Sequence, residues 1–325
     1  MNRLIAEMAD KCALYSLHKN KSRTWQFSNR GLIPALEDLE LFYFQPQMPE
    51  ISFERFNDFG NYRTGTFKYK SKVDNDSCNE YATGLFYQSK LKTPKLNVIL
   101  VHGWRQDNER IKAIYCDLFM QNGYDIYLFT LPHHTERQDK QSSYNGEFMI
   151  SANVERTLLS VRQAVVDLRA LVNWLTANRT GKVVLVGISL GGLLANLTTT
   201  VEENIDGIIS VFAPNDLSTI TWETATGKWI KRDFEKHAFT YEQLKNSWAM
   251  MTASNFRSKI AKEKMLFISA SYDKYIDFED ANELWEKWGR PERKLYPCGH
   301  TGIVLCKKSI ANESLEFIKR NVFMG

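Results

Sequence analysis

The run Gly187-Ile188-Ser189-Leu190-Gly191, continued by Gly192, places one hydroxyl between two glycines. A serine hydroxyl is a poor nucleophile until a base takes its proton, so its surroundings decide whether it reacts. The apolar run Val183-Val184-Leu185-Val186 precedes it and reads as a buried strand, and Leu193-Leu194-Ala195-Asn196-Leu197 follows as the opening of a helix. Strand, tight turn and helix are the setting of a nucleophile elbow. The turn strains the backbone at the serine, and glycines are needed where a side chain would strike the neighbouring chain. The helix aims its first N–H groups at the serine, where they stabilise negative charge. A glycine-rich turn that only packs a helix on a sheet would read the same way, so the serine's partners decide between the two.

The base has to be one of six histidines. His300 lies in Cys298-Gly299-His300-Thr301-Gly302, just after the last candidate strand, in a loop whose glycines let the ring reach back to the sheet. An acid must fix the tautomer of that ring and stabilise the imidazolium. Asp273 follows Phe267-Ile268-Ser269-Ala270 and so leaves the C-terminal end of a strand, where functional residues collect in parallel sheets. Asp277 and Asp280 fit helix starts, and Asp216, after the preceding strand, is the alternative acid. An oxyanion needs two fixed donors. The Leu190 N–H is one, and the Trp104 N–H, in the loop His102-Gly103-Trp104, is the other; the His102 ring is expected to bond loop backbone. In the loop Leu131 to Arg137, His134 and Arg137 are candidate substrate-binding groups, unless Arg137 pairs with an acid to pin the loop running to Met149.

These residues need a scaffold. From about residue 95 the chain alternates β-rich runs with helical patterns: strands are expected at Leu96–Val101, Tyr124–Leu131, Val183–Val186, Ile205–Phe212, Met265–Ala270 and Arg293–Tyr296. Strands separated by helices indicate a parallel sheet covered on both faces. Val154, Leu158, Val161, Val165, Leu168, Val172 and Leu175 recur in steps of four and three, which predicts one long helix ending before Gly181. Residues 1–80 read as an N-terminal extension packing on a catalytic domain of 81–325, with Thr64–Tyr69 and Tyr81–Tyr87 as antiparallel strands. About 214–262 is too long for an ordinary loop and reads as an inserted helical cap. Thr240 and Gln243 there fit a capping box, and Trp222 and Trp248 could line an acyl pocket or simply pack.

Composition bounds the rest. The 325 residues carry a net charge of +4 and 25% charged side chains, ordinary for a globular chain, with no basic patch to suggest nucleic acid. Five cysteines without Cys-x-x-Cys spacing argue against a disulfide framework or zinc site and for a reducing, cytoplasmic setting. No metal-ligand motif is visible. Glu7, Asp10 and Lys11 interrupt the start where a signal peptide is apolar, and Val183–Leu197 is too short to span a bilayer. The aromatics of 41–60 (Phe42, Tyr43, Phe44, Phe53, Phe56, Phe59) either form a homodimer surface or wrap the core.

With His102-Gly103-Trp104, Gly187 to Gly192, Ser271-Tyr272-Asp273 and Gly299-His300 in this order, roughly residues 80–322 resemble the α/β-hydrolase superfamily, in its carboxylesterase-like branch. The resemblance implies an eight-stranded, mostly parallel sheet, a Ser189–Asp273–His300 triad, two-step acyl transfer and no cofactor. Hydrolysis of a small-molecule carboxylic ester is the expected function. An amide or peptide hydrolase on the same triad, or a hydrolase fold used only for binding, are the alternatives.

Overall fold

The computed structural model describes residues 2–19, 25–91 and 95–324, except the side chains of Arg55, Phe56 and Phe59. Its strands are β1 (Ser52–Phe59), β2 (Tyr62–Lys70), β3 (Tyr81–Ser89), β4 (Leu96–Val101), β5 (Asp125–Thr130), β6 (Lys182–Ile188), β7 (Gly207–Val211), β8 (Met265–Ala270) and β9 (Glu292–Tyr296). They form one sheet in the order β1-β2-β3-β5-β4-β6-β7-β8-β9. The pairs from β1 to β5 are antiparallel and those from β5 to β9 parallel. This gives nine strands where eight were expected. The additional one is β1, at the edge, with a bulge between Arg55 and Asn57.

Parallel strands buried on both faces need apolar residues in both directions. Along β4, Ile99 and Val101 enter one core, while Leu96, Val98 and Leu100 enter the other. The helices are α1 (Arg3–His18), α2 (Leu39–Phe42), α3 (Glu109–Gln121), α4 (Val154–Asn178), α5 (Leu190–Val201), α6 (Leu217–Glu223), α7 (Lys228–Lys236), α8 (Tyr241–Ser247), α9 (Phe278–Lys287) and α10 (Ile303–Phe317). α4 and α5 pack on the first face, and α3 and α10 on the second. All seven periodic residues of α4 are buried, and the chain turns back at Gly181 with φ +99°.

The segment before β1 wraps the core. Phe42 and Tyr43 are buried, the Tyr43 hydroxyl donates to the Met250 carbonyl (2.9 Å), and the Phe53 ring lies against Trp174. Phe56 and Phe59 lie outside the described side chains. Between β7 and β8, α8 opens with the capping box expected at Thr240 and Gln243. Among the described residues no helix is long and apolar enough to cross a membrane, and no group of three or more His, Cys, Asp or Glu is placed to hold a metal ion.

Candidate active site

Ser189 follows β6 and caps α5 with φ +55° and ψ −119°, a conformation a serine adopts only under constraint. Constraint comes from both sides. The Ser189 N–H donates to the Val211 carbonyl (2.8 Å) and its own carbonyl accepts from Gly192 and Leu193. A Cβ on Gly187 would stand 2.2 Å from the Gly191 carbonyl oxygen, and one on Gly191 would stand 2.2 Å from that of Val101. Both glycines are therefore fixed by space.

The His300 ring, in the loop after β9, donates Nδ1–H to Asp273 Oδ2 at 2.8 Å. Both side chains are nearly inaccessible. Asp273 Oδ1 accepts the N–H groups of Tyr275 (2.8 Å) and Ile276 (3.0 Å), which holds the carboxylate at the end of β8. Tyr275 stacks on the imidazole, with centroids 4.7 Å apart and planes at 16°. Burial pushes that phenol up to about 12, so it stays neutral. Asp216, the alternative acid, is engaged elsewhere: it caps α6, accepting from the Ser218 N–H (2.7 Å) and hydroxyl (2.6 Å).

Ser189, His300, Leu190 and Trp104 line one cavity of about 560 Å³. Among the described residues Ser189 Oγ and His300 Nε2 both line this cavity without a hydrogen bond to each other. The loop of Trp104 is braced by two buried rings. His102 donates Nδ1–H to the Gly103 carbonyl (2.9 Å) and accepts the Leu131 N–H at Nε2 (3.2 Å). His134 donates Nδ1–H to the Pro132 carbonyl (2.8 Å) and accepts the Arg105 N–H at Nε2 (3.1 Å). Burial holds His102 down at about 4 and His134 well below the usual range, so both rings are neutral and can accept.

The four candidate substrate-binding residues lie off this lining. His134 supports the loop behind Trp104. Arg137 is buried and paired with Asp167 of α4 (3.2 Å) while donating to the Thr130 carbonyl (2.9 Å), the pinning role weighed from the sequence. Trp248 is buried, with Nε1–H on the Val154 carbonyl (3.1 Å), and Trp222 stacks on Tyr241. The segment between β7 and β8 instead lends the cavity Pro214, Leu217, Ile220 and Thr226.

Sequence reasoning missed Arg105 and Arg110, which line the cavity, and a wall made by Ala13, Ser16 and Leu17 of α1. Arg105 lies between the Trp104 and Tyr144 rings (4.1 and 4.0 Å) and donates to the Leu17 carbonyl (3.0 Å). No aspartate or glutamate is among the lining residues described. Closeness to Trp104 in sequence was the available signal for the arginines. For α1 it was the four-residue spacing of Ala6, Asp10 and Leu14.

Four likenesses accompany this geometry. A model described as the Alpha/beta hydrolase family matches residues 98–305. YdjC of Bacillus subtilis, an uncharacterized protein, is 44% identical over 115 residues, which are 35% of this chain and 99% of YdjC. Among solved structures, an acetyl xylan esterase from Paenibacillus sp. R4 superposes with a TM-score of 0.65 at 13% identity, over 91% of this chain and 96% of its own. Acetyl xylan esterase 1 from Thermoanaerobacterium sp. JW/SL YS485 gives 0.61 at 13% identity, over 86% and 95%. At such identities the likeness is one of fold.

Proposed function

Because this chain belongs to the alpha/beta hydrolase family, we propose that it hydrolyses carboxylic esters through an acyl-enzyme on Ser189. His300 is the base, Asp273 the acid that orients it, and the N–H groups of Leu190 and Trp104 form the oxyanion hole. Residues 1–80 act as an extension of the catalytic domain, and about 214–262 as its cap. One observation carries the reading: His300, bonded to Asp273, and the strained Ser189 face the same cavity.

The steps follow from the atoms present. Ser189 Oγ adds to the ester carbonyl while its proton passes to His300 Nε2. Asp273, bonded at Nδ1, stabilises the imidazolium. The carbonyl oxygen becomes an oxyanion and accepts from the two backbone N–H groups, each worth on the order of 100–1,000-fold in rate. His300 then gives its proton to the departing alkoxide, and an alcohol leaves. Water, deprotonated by His300, adds to the acyl-enzyme; the C–Oγ bond breaks, His300 returns the proton to Ser189 Oγ, and the acid leaves. With the Arg110 guanidinium on the lining and no carboxylate among the described lining residues, an ester bearing an anionic group is favoured.

Labelling with a fluorophosphonate probe tests the nucleophile. The chain is expected to be labelled, and Ser189→Ala to lose both the label and at least about 1,000-fold of ester turnover. An unlabelled chain would favour a binding role. Faster turnover of aminoacyl-nitroanilides than of p-nitrophenyl esters would make it an amide hydrolase.

A further inference from the structure

α1 shows one buried carboxylate in an otherwise apolar inner face. Ala6 and Leu14 sit four residues to either side of Asp10, and Asp10 is fully buried. Its Oδ2 accepts the N–H of His300 (2.8 Å) and of Lys274 (3.0 Å). Its Oδ1 accepts the N–H (2.9 Å) and the hydroxyl (2.7 Å) of Thr301. One carboxylate thus joins the loop that carries His300 to the loop that carries Asp273. Gly299 belongs to the same arrangement, because a Cβ there would stand 2.5 Å from Asp10 Oδ2.

A helix docks on a protein most cheaply through apolar side chains, and burying a charge is costly unless hydrogen bonds meet it. Here the charge is met by three backbone N–H groups and a hydroxyl, all in the two loops that set the imidazole. The Asp273–His300 bond aligns the ring within its plane, but where that pair stands relative to Ser189 depends on the backbone of both loops. The far end of α1 is tied as well. Arg105, next to Trp104, donates to the Leu17 carbonyl, and the His18 ring bonds the Ala225 carbonyl (2.8 Å).

We propose that Asp10 is a positioning residue and that α1 is part of the reactive site: the Asp10 carboxylate clamps the His300 and Asp273 loops so that the imidazole stands in reach of Ser189. This rests on the Ser189–His300–Asp273 reading. α1 forms a strap over the cavity, bonded to the acid and base loops at Asp10, to the oxyanion loop at Leu17 and to the cap at His18.

Asp10→Asn, nearly isosteric, tests it in the full chain. Its amide NH2 must face either two backbone N–H groups or the Thr301 N–H and hydroxyl, so at least one of the four bonds is lost. The expected result is a kcat on a neutral p-nitrophenyl ester lower by about 10- to 100-fold, with KM within about threefold and fluorophosphonate labelling slowed in step, as for a group displaced by a fraction of an ångström. Thr301→Val removes only the hydroxyl bond. It should give a smaller fall in the same direction, not added to that of Asp10→Asn, and it carries the test should Asp10→Asn fail to fold. Unchanged kcat and labelling rate, whatever the thermal midpoint does, would overturn the proposal. A raised KM at constant kcat would overturn it too, leaving α1 a mere wall. Failure of the parent chain to label at all would instead strike the serine-hydrolase reading, before any variant is compared.

Discussion

Ser189 is made special by what surrounds it: two glycines whose missing side chains let β6, α5 and the end of β4 close to within van der Waals contact. Charge near that hydroxyl is also set residue by residue. Arg110 lines the cavity, is exposed, and has no hydrogen bond or ion pair among the described residues, so its charge is available to a ligand. Arg110→Glu is expected to lower kcat/KM for an ester carrying a free carboxylate by about tenfold or more, while a neutral ester of equal size changes little. Equal effects on both esters, measured side by side and at two ionic strengths, would remove Arg110 from substrate selection. At this scale the sequence was legible where geometry leaves a local mark. The strand before Ser189, the strand before Asp273 and the glycines around His300 are such marks. Asp10 leaves only its spacing from Ala6 and Leu14, since one acid on an amphipathic helix reads as a solvated residue until the fold places it 290 residues away against His300. His134 and Arg137 were placed near the substrate by their loop alone, and loop position does not say which side chains turn inward.

Elements are held by pairs of this inward kind. Arg137 and Asp167, both about 1% exposed, link the loop after β5 to the middle of α4. Breaking a buried pair from one side leaves a charge without its partner, at about 3–5 kcal/mol. Arg137→Met should therefore lose that much in urea unfolding while KM for any accepted ester stays put; a KM effect without loss of stability would return Arg137 to the substrate. Asp167 also titrates. Burial pushes the Asp167 carboxyl up to about 6, despite the pull of Arg137 and the Ser71 hydroxyl. Between the ordinary carboxylate range near 4 and 6, the folded chain holds a proton that the unfolded chain has released. The Asp167 contribution to stability thus falls as pH rises through that window and is flat above it, and Asp167→Asn should flatten the corresponding slope in midpoint against pH. The same scale explains which elements the sequence disclosed. β4 to β8 are apolar runs with both faces buried, and α4 repeats its apolar residues from Val154 to Leu175. β1 reads Ser-Phe-Glu-Arg-Phe-Asn-Asp-Phe and carries a bulge, so its alternation breaks where a strand would have been recognised.

Taken whole, the molecule joins a rigid sheet to a helix that is fastened mainly by polar bonds. Every residue of α5 is buried, and seventeen of the twenty-five in α4, but only Ala6, Asp10 and Leu14 of the sixteen in α1. The outer face of α1 exposes Leu4, Ile5, Met8 and Tyr15. Little apolar area is therefore lost when α1 leaves, so its detachment costs less than unfolding of the sheet, and regions of this kind open before the rest. Hydrogen exchange should show it: amides of α1 are expected to exchange on the order of 100-fold faster than those of β4, β6 and α5, a gap of about 2.7 kcal/mol in opening free energy. Asp10→Asn should widen the gap by speeding α1 and leaving the sheet unchanged. Protection of α1 equal to that of α5 would mean that the helix opens only with the core, and the strap would then be a fixed wall. With α1 detached, the cavity loses Ala13, Ser16 and Leu17 from its wall and the Asp10 clamp from its loops in one event. On the proposed role of Asp10, one event would then both open the cavity wall and release the His300 and Asp273 loops from their shared carboxylate.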